Sequence, residues 1–448
     1  MKNILKVAGL FCGLVFGSSM TQLVAMKNFS PKSSIWSEIA QNEKLSRDEK
    51  WNLFIKDCVL NKKFSVPAKS STSLLRVATY NLHCFVDPYS NKDPNSAAHL
   101  AGVIGKLYAD VLFLQEFAGL DGCFNRGHNK DFHMGKELKK MDYEFTPVKT
   151  WKLYNGFGNQ CCWKKTLAVT NAISKIFNVN FAKPNDDEKR GFVGGHFIWN
   201  GKKVATYALH LDVWDQTGDT RAQQVKELIS FIKEQRKIFP NTTFIIGGDF
   251  NAVRAKDYDY FESGKKVWEL LKGDDLERKI KTPQSIAELF EKEEEWLGNV
   301  YDALPDQAPK FTSCFGKTVD YLYFTKGTGL EPAVIHVDYT TVQSEKIDPK
   351  TLKTTGEIYI TTPSDHLPVV VDFQASKNVA TEAQIKFLVQ FKEKLALCKI
   401  PLDIGDNKIT RLILLDALEN DFKNLAQFDQ GVYRTEFKEV VRQGLKEN

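Results

Sequence analysis

A mixed α/β fold is what this sequence predicts, and three patterns carry the prediction. Short apolar runs rich in β-branched residues recur from Leu74 to Phe373, with the length and composition of strands. Segments of helical period stand between some of them. After Phe373 the strand pattern stops and only helix-period sequence remains, which predicts a separate helical appendage over 375–448.

Taken in chain order, Met1–Ala25 comes first. Lys2 and Lys6 precede an uncharged apolar run to Phe16, and small residues then lead to Leu23-Val24-Ala25. This is the layout of a signal peptide. The run falls short of the roughly 20 residues that span a bilayer, so no membrane span is expected after cleavage and the mature chain is read as secreted or periplasmic. Residues 26–73 read as a helical leader and linker. Ser46 and Glu49 form a capping-box pattern ahead of an apolar face of Trp51, Phe54, Ile55, Cys58 and Val59, and Lys69-Ser-Ser-Thr-Ser73 links onward.

The main domain is expected over 74–374. Its strands are Leu74–Leu82, Val111–Gln115, Phe192–Trp199, Val204–Leu209, Phe244–Gly248, Val319–Phe324 and Pro368–Phe373. Ala97, Leu100, Ala101, Ile104 and Tyr108 mark one helix, and Val225, Leu228, Ile229 and Ile232 another. In the tail, Ile385, Leu388, Phe391 and Leu395 share one face; beyond Pro401, Leu412, Leu415, Leu418 and Phe422 share a second.

Composition bounds the class without choosing a substrate. A chain of 448 residues with 42% apolar and 26% charged residues is neither disordered nor fibrous. Its net charge of +5 includes Lys2 and Lys6, so the mature chain keeps only a weak basic bias. Of the eight cysteines, Cys12 lies in the leader. Cys58, Cys84, Cys123, Cys161, Cys162, Cys314 and Cys398 are too widely spaced for a disulfide framework, and are read as buried thiols with a Cys161–Cys162 bridge as the alternative.

The chemistry-bearing residues share one placement, at or just past the C-terminal ends of apolar runs. Thr79-Tyr80-Asn81, Leu114-Gln115-Glu116 and Tyr207-Ala208-Leu209-His210 all end this way. A carboxylate there must be solvated, paired or bound to a cation. Gly247-Gly248-Asp249-Phe250-Asn251 puts a carboxylate and an amide two residues apart behind paired glycines, so that both point the same way. Asp320 sits beside another strand, and Asp365-His366 precedes the last one. Oxygen donors without a thiolate cluster suit magnesium or manganese, whereas zinc favours histidine and cysteine. Cys123, His128 and His133 match no common zinc spacing. Trp214 and Asp215, just past His210, are either a substrate rim or a surface loop.

The ordered series Tyr80-Asn81, Gln115-Glu116, Leu209-His210-Leu211, Gly248-Asp249-Phe250-Asn251, Val319-Asp320-Tyr321 and Ser364-Asp365-His366-Leu367-Pro368 resembles the endonuclease/exonuclease/phosphatase family. That family includes deoxyribonuclease I, apurinic endonucleases, tyrosyl-DNA phosphodiesterase, sphingomyelinases and inositol polyphosphate phosphatases. The resemblance covers about two thirds of the chain, and six short motifs in the family's order make chance a poor explanation. It implies a four-layer α-β-β-α sandwich with two stacked mixed sheets and a site at one rim.

Roles follow by the same resemblance. Glu116 is the expected metal ligand with Asn81 and Asp365, the ion being Mg2+ or Mn2+. Asp249 would deprotonate the attacking water and Asn251 hold a phosphate oxygen. His210 and His366 would stabilise the phosphate's developing charge, and Asp320 would fix the ring of His366. Arg190, beside Gly191, and Asn159, after Gly158, are expected substrate contacts, although Gln160-Cys161-Cys162-Trp163 departs from the family's small or apolar continuation. The expected activity is that of an exported metal-dependent phosphodiesterase, a nuclease first, with a nucleic acid partner. The alternatives are a sphingomyelinase-like enzyme acting on phospholipid and a non-catalytic binding protein on the same fold. Lys317-Thr318-Val319-Asp320 stands where inositol phosphatases carry Trp-Cys-Asp-Arg, which argues against that branch.

Overall fold

Helix α1 (Arg47–Leu60) begins at the capping box that its sequence announces. Ser46 N–H donates to Glu49 Oε2 at 2.7 Å, and Glu49 N–H donates back to Ser46 Oγ at 3.3 Å. Its face of Trp51, Phe54, Ile55 and Cys58 is buried against Tyr260, Phe261, Phe311 and Leu367, so the helix is part of the core. The computed structural model describes residues 39, 41–60, 66–88, 95–118, 132–147, 157–180, 189–215, 218–254, 256–261, 265–266, 289–290, 292–293, 295–348, 350–351 and 353–376. The expected signal peptide, the expected C-terminal helices, Cys123, His128 and Cys398 lie outside the described residues.

The next elements are β1 (Leu75–Asn81), α2 (Ser96–Lys106), β2 (Val111–Ala118), α3 (Met134–Lys140), β3 (Tyr143–Pro147), β4 (Phe157–Lys164), β5 (Thr170–Ile176), β6 (Gly191–Trp199) and β7 (Lys202–His210). They are followed by α4 (Asp219–Ile238), β8 (Thr242–Asp249), β9 (Leu297–Asn299), α5 (Val300–Ala303), β10 (Asp320–Thr325), β11 (Leu330–Val337), β12 (Val342–Ile347), β13 (Thr354–Thr361) and β14 (Val369–Ala375). Two six-stranded sheets result, in the orders β11-β14-β1-β2-β4-β3 and β9-β10-β8-β7-β6-β5, and β12-β13 forms a hairpin apart from both.

Each large sheet carries one parallel pair, β1 with β2 and β7 with β8, among antiparallel neighbours. Parallel neighbours need a long crossover, and α2 and α4 supply it. Val77, Val111 and Phe113 face the second sheet, in one cluster with Ala208, Ile246 and Tyr323. The alternate positions Ala78, Leu112 and Leu114 face Leu100 and Ile104 of α2 and Leu138 of α3. On the far side, Phe231 of α4 packs its ring 4.9 Å from Phe192 and 5.4 Å from Tyr207. Helices, sheet, sheet and helix make the four layers, and residues 32–375 form one compact unit.

All seven expected strands form. The unforeseen ones are β3, β4, β5, β9 and the stretch from β11 to β13. On β5 and the β12–β13 hairpin the alternation is broken by lysines, threonines and glycines, which sit on an edge strand or an exposed hairpin and so need no apolar partner; β4 lies inside its sheet between β2 and β3, and there Gly158, Asn159 and Gln160 interrupt the apolar run. Among the described residues no two cysteines are bridged, so Cys161 and Cys162 form no vicinal disulfide.

Candidate active site

The two parallel pairs deliver their C-terminal ends to one rim. In the β7–β8 register His210 stands opposite Asp249, and in the β10–β8 register Asp320 stands on the other side of Asp249. β1 brings Asn81 from the first sheet, and its Nδ2 donates to Asp249 Oδ2 at 3.0 Å. Such ends are rigid places on which side chains can converge.

Gly247-Gly248 lets β8 fit between its neighbours. A Cβ on Gly248 would fall 1.9 Å from Leu209 O, and its φ of +147° suits glycine alone. One on Gly247 would fall 2.5 Å from the Leu322 side chain and 2.8 Å from Tyr321 O. The glycines that the sequence pairs with Asp249 therefore allow close strand packing.

Glu116 is aimed by a bulge. The β2–β4 register slips between Leu114 and Phe117, and Glu116 takes a φ of +49°. The strand thus runs past the expected end at Gln115, and the extra residue turns Glu116 toward the rim. Asn81 Nδ2 lies 3.3 Å from Glu116 Oε1, and the Cys84 thiol 3.3 Å from Oε2. Burial opposes ionisation of Glu116, but His83, Arg190, the Cys84 thiol and His366 outweigh it and hold the carboxyl below its usual range.

Asp249 is 1% exposed. Its Oδ1 accepts from Asn251 N–H at 2.7 Å, while Oδ2 lies 3.5 Å from His210 Nε2 and 3.7 Å from His366 Nε2. Burial and the Asp320 charge push its carboxyl up to about 7, against the pull of His366 and the bonds from Asn251 and Asn81.

The two histidines are in opposite charge states. Arg190 Nη1 lies 2.7 Å from His210 Nδ1 and 3.2 Å from Nε2, and a guanidinium can only donate, so the ring accepts from it through a lone pair and is not doubly protonated. Burial, Arg190 and His366 keep His210 neutral, well below the usual histidine range. His366 has Nδ1 2.8 Å from Asp320 Oδ2. Burial would neutralise that ring too, but Asp320, Asp365 and Asp249 outweigh it and hold His366 protonated. Asp320 Oδ1 is buried with no hydrogen-bond partner among the described residues, a cost that a lasting positive charge on His366 offsets.

The remaining expected residues lie around this centre. Asn251 Nδ2 donates to Leu211 O at 3.0 Å, 2.9 Å from His210 Nε2. Ser364 Oγ donates to Asn81 O at 2.7 Å, tying the Asp365-His366 turn to β1. Asn159 sits on β4 across from the Glu116 bulge and donates to Gly191 O at 2.8 Å, next to Arg190; its Oδ1 is buried without a partner among the described residues. Asn81 presents its nitrogen to Glu116 and Asp249 and its oxygen to His83 N–H at 2.9 Å, so its contact with Glu116 is an orienting one. Trp214 is 41% exposed, on a turn built on Asp212 Oδ1. His133 caps α3.

Two neighbours of the site escaped the sequence reading, His83 and Cys84. Their one signal was position, directly after Tyr80-Asn81-Leu82. His83, Cys84 and Phe85 all take left-handed backbone, with φ of 46°, 52° and 64°, which costs about 1–2 kcal/mol per residue. The turn carries His83 to within 3.7 Å of Asp365 Oδ2. The oxygen donors of Glu116 and Asp365 suit a divalent cation. The group Asp249, Asp320 and His366 also lies within 4.8 Å, with His366 Nδ1 engaged by Asp320 Oδ2 at 2.8 Å.

Residues 78–366 match the family model described as Endonuclease/Exonuclease/phosphatase family. The chain belongs to this family. The endonuclease/exonuclease/phosphatase family comprises hydrolases of phosphoester bonds, and the matched span runs from β1 to His366 itself. Solved structures that resemble this family member include the human Nocturnin catalytic domain with bound sulfate, at 18% identity and a TM-score of 0.41, over 68% of this chain and 95% of that one. Truncated Caenorhabditis elegans TDP2 aligns at 15% identity and a TM-score of 0.42, over 67% and 98%. A family protein from Bacteroides thetaiotaomicron aligns at 15% and 0.41, over 67% and 97%. No curated protein matches the chain.

Proposed function

We propose that this protein is a divalent-cation-dependent phosphodiesterase acting on nucleic acid. The observation that carries the reading is the Asp249 carboxylate set between neutral His210 and protonated His366. A buried carboxylate with a raised pKa is a better base near neutral pH, so Asp249 Oδ2 takes the proton of the attacking water. Asn251 orients the phosphate from two residues further along the chain. His366 places a fixed positive charge beside the phosphoryl oxygens as negative charge grows on them, and neutral His210 contacts the same phosphate. Glu116 and Asp365 hold Mg2+ or Mn2+, which supplies Lewis-acid stabilisation of the same oxygens. Asn81 keeps Glu116 and Asp249 aimed.

The preference for nucleic acid rests on exposed aromatics at the rim. Trp214 lies four residues past His210, and Phe315, 45% exposed, follows Cys314, whose N–H donates to Asp365 O at 2.7 Å. The Arg47 guanidinium stands 5.8 Å from the Phe315 ring centre. Aromatic faces with a cation nearby suit unstacked bases and their phosphates. A second reading, a phospholipid phosphodiesterase, draws on Ile358 and Ile360, 66% and 45% exposed on β13, whose Tyr359 hydroxyl bonds Asp87 below the His83 turn. Export to the secreted or periplasmic space belongs to the proposal and rests on Met1–Ala25 alone.

Hydrolysis of duplex DNA, single-stranded DNA, RNA and sphingomyelin, with cation and with EDTA, beside His366→Ala, tests the reading. EDTA-sensitive cleavage of nucleic acid that the variant loses is the expected outcome. The same pattern on lipid alone would keep the site and overturn the substrate, and activity unchanged in the variant would sink the site.

A further inference from the structure

Helix α1 stands outside the span that matches the family, which begins at residue 78, yet it is built into the rim that carries the site. Trp51 and Phe54 set their rings 6.3 and 4.8 Å from that of Phe311, and the same cluster takes in Phe261 and Leu367, the residue after His366. Buried Lys50 donates from Nζ to Phe261 O. Residues 312–317 join this cluster to the site. Thr312 O accepts from Leu367 N–H at 2.7 Å, Cys314 N–H donates to Asp365 O at 2.7 Å, and Gly316 N–H closes a turn on Ser313 O at 2.9 Å, with Phe315 inside the turn. Gly316 takes a φ of +72°, and a Cβ there would fall 2.5 Å from the Phe261 ring, so glycine lets the turn lie against the cluster.

The turn and the start of α1 meet in solvent. Arg47 opens the helix, its guanidinium is 5.8 Å from the Phe315 ring centre, and both side chains are exposed. The Cys314 thiol, one residue before Phe315, feels the charges of Asp365, Asp48 and Arg47, so Arg47 and the Asp365 carboxylate are close enough to act on one atom. An exposed cation on an exposed ring adds little to stability. At the rim of a phosphodiesterase site the same pair has a second use, because a guanidinium offers forked donors to a phosphate and a ring offers a face on which a base can stack. We propose that Arg47 and Phe315 form a nucleotide subsite beside the scissile phosphate, Arg47 on the neighbouring phosphate and Phe315 under its base, and that the leader helix is thereby a specificity element of the enzyme. This rests on the nucleic-acid reading of the site and adds to it a residue that the family span does not contain.

The test is hydrolysis of single-stranded oligonucleotides by the full chain with cation, over a series of salt concentrations, beside a small aryl phosphodiester that is too short to reach the subsite. Arg47→Gln is expected to keep the melting temperature, to raise KM for the oligonucleotides about 10-fold, and to lose far less on the aryl phosphodiester. Its slope of log(kcat/KM) against log[salt] should flatten by about 0.7, the share of one phosphate contact on a single strand. Arg47→Lys, which keeps the charge and loses the fork, should recover the slope and only part of KM. Phe315→Ala should raise KM and leave the slope as it is. If wild type cleaves oligonucleotides and Arg47→Gln matches it in KM and slope, the subsite is overturned and the nucleic-acid reading stands. Equal losses on the oligonucleotides and the aryl phosphodiester would make Arg47 a support of the fold and likewise overturn the subsite. If wild type cleaves the aryl phosphodiester but no oligonucleotide, the nucleic-acid reading falls and the subsite falls with it.

Discussion

Asp320 grips His366 through Nδ1: its Oδ2 lies 2.8 Å from that nitrogen, across 46 residues of chain. The pair fixes which ring nitrogen reaches the rim and keeps the ring charged, since Asp320 is the largest charge opposing its burial. Asp320→Asn is isosteric but gives up the negative charge. The expected result is a kcat lower by about 10²–10⁴-fold with a well-folded chain. A kcat within about threefold of wild type would show that the pair orients nothing the reaction needs.

The same electrostatics set a pH profile. Asp249 acts ionised, and its raised pKa, about 7, puts the acid limb well above the ordinary carboxylate range. As pH falls through that value the base takes up a proton and the rate drops. His366 acts protonated and is raised, so its limb lies on the alkaline side of the ordinary histidine range. A bell-shaped kcat/KM is expected, and Asp320→Asn should move the alkaline limb to lower pH. An acid limb near pH 4 would remove Asp249 as the base.

Stability away from the site depends on another buried pair. Arg76, 1% exposed, bonds Asp372 through Nε at 2.6 Å and Nη2 at 2.8 Å. Asp372→Asn leaves the guanidinium buried and unpaired, and the expected loss is about 3–5 kcal/mol in denaturant unfolding. Burial raises the Asp372 carboxyl, but bonds from Arg76 and His336 outweigh it and hold it below the usual range. Its contribution is therefore fully present above the ordinary carboxylate range and is lost as pH falls through the folded value. In the variant the acid decline of stability should be shallower.

Trp214→Ala addresses the substrate. If Trp214 stacks on a base, KM for single-stranded nucleic acid should rise about 10-fold, because such stacking is worth about 1–3 kcal/mol per base. Hydrolysis of a small aryl phosphodiester, which has no base to stack, should hardly change. Equal losses on both substrates would place Trp214 in the support of His210.

The sequence by itself determined the strands that carry chemistry and the order in which they present it. Apolar runs ending in Asn81, Gln115-Glu116, His210 and Asp249 were legible because burial demands uninterrupted side chains and the strand end is where polarity becomes tolerable. The capping box of α1 was legible for a similar reason, being local hydrogen bonding between Ser46 and Glu49.

Only the tertiary structure decided how those ends meet. The Glu116 bulge exists because β4 pairs with β2 out of step, and periodicity along one strand does not encode its partner's register. The opposite charge states of His210 and His366 arise from Arg190 on one ring and Asp320 on the other, contacts spanning 20 and 46 residues. His83 is the clearest instance. Its position after Tyr80-Asn81-Leu82 is its one mark along the chain, and its place at the site comes from Asp365, 282 residues away in sequence, brought to 3.7 Å by the stacking of strand ends at one rim. Side-chain chemistry is written residue by residue, but charge state and ligand geometry depend on distance in space, which the fold alone sets.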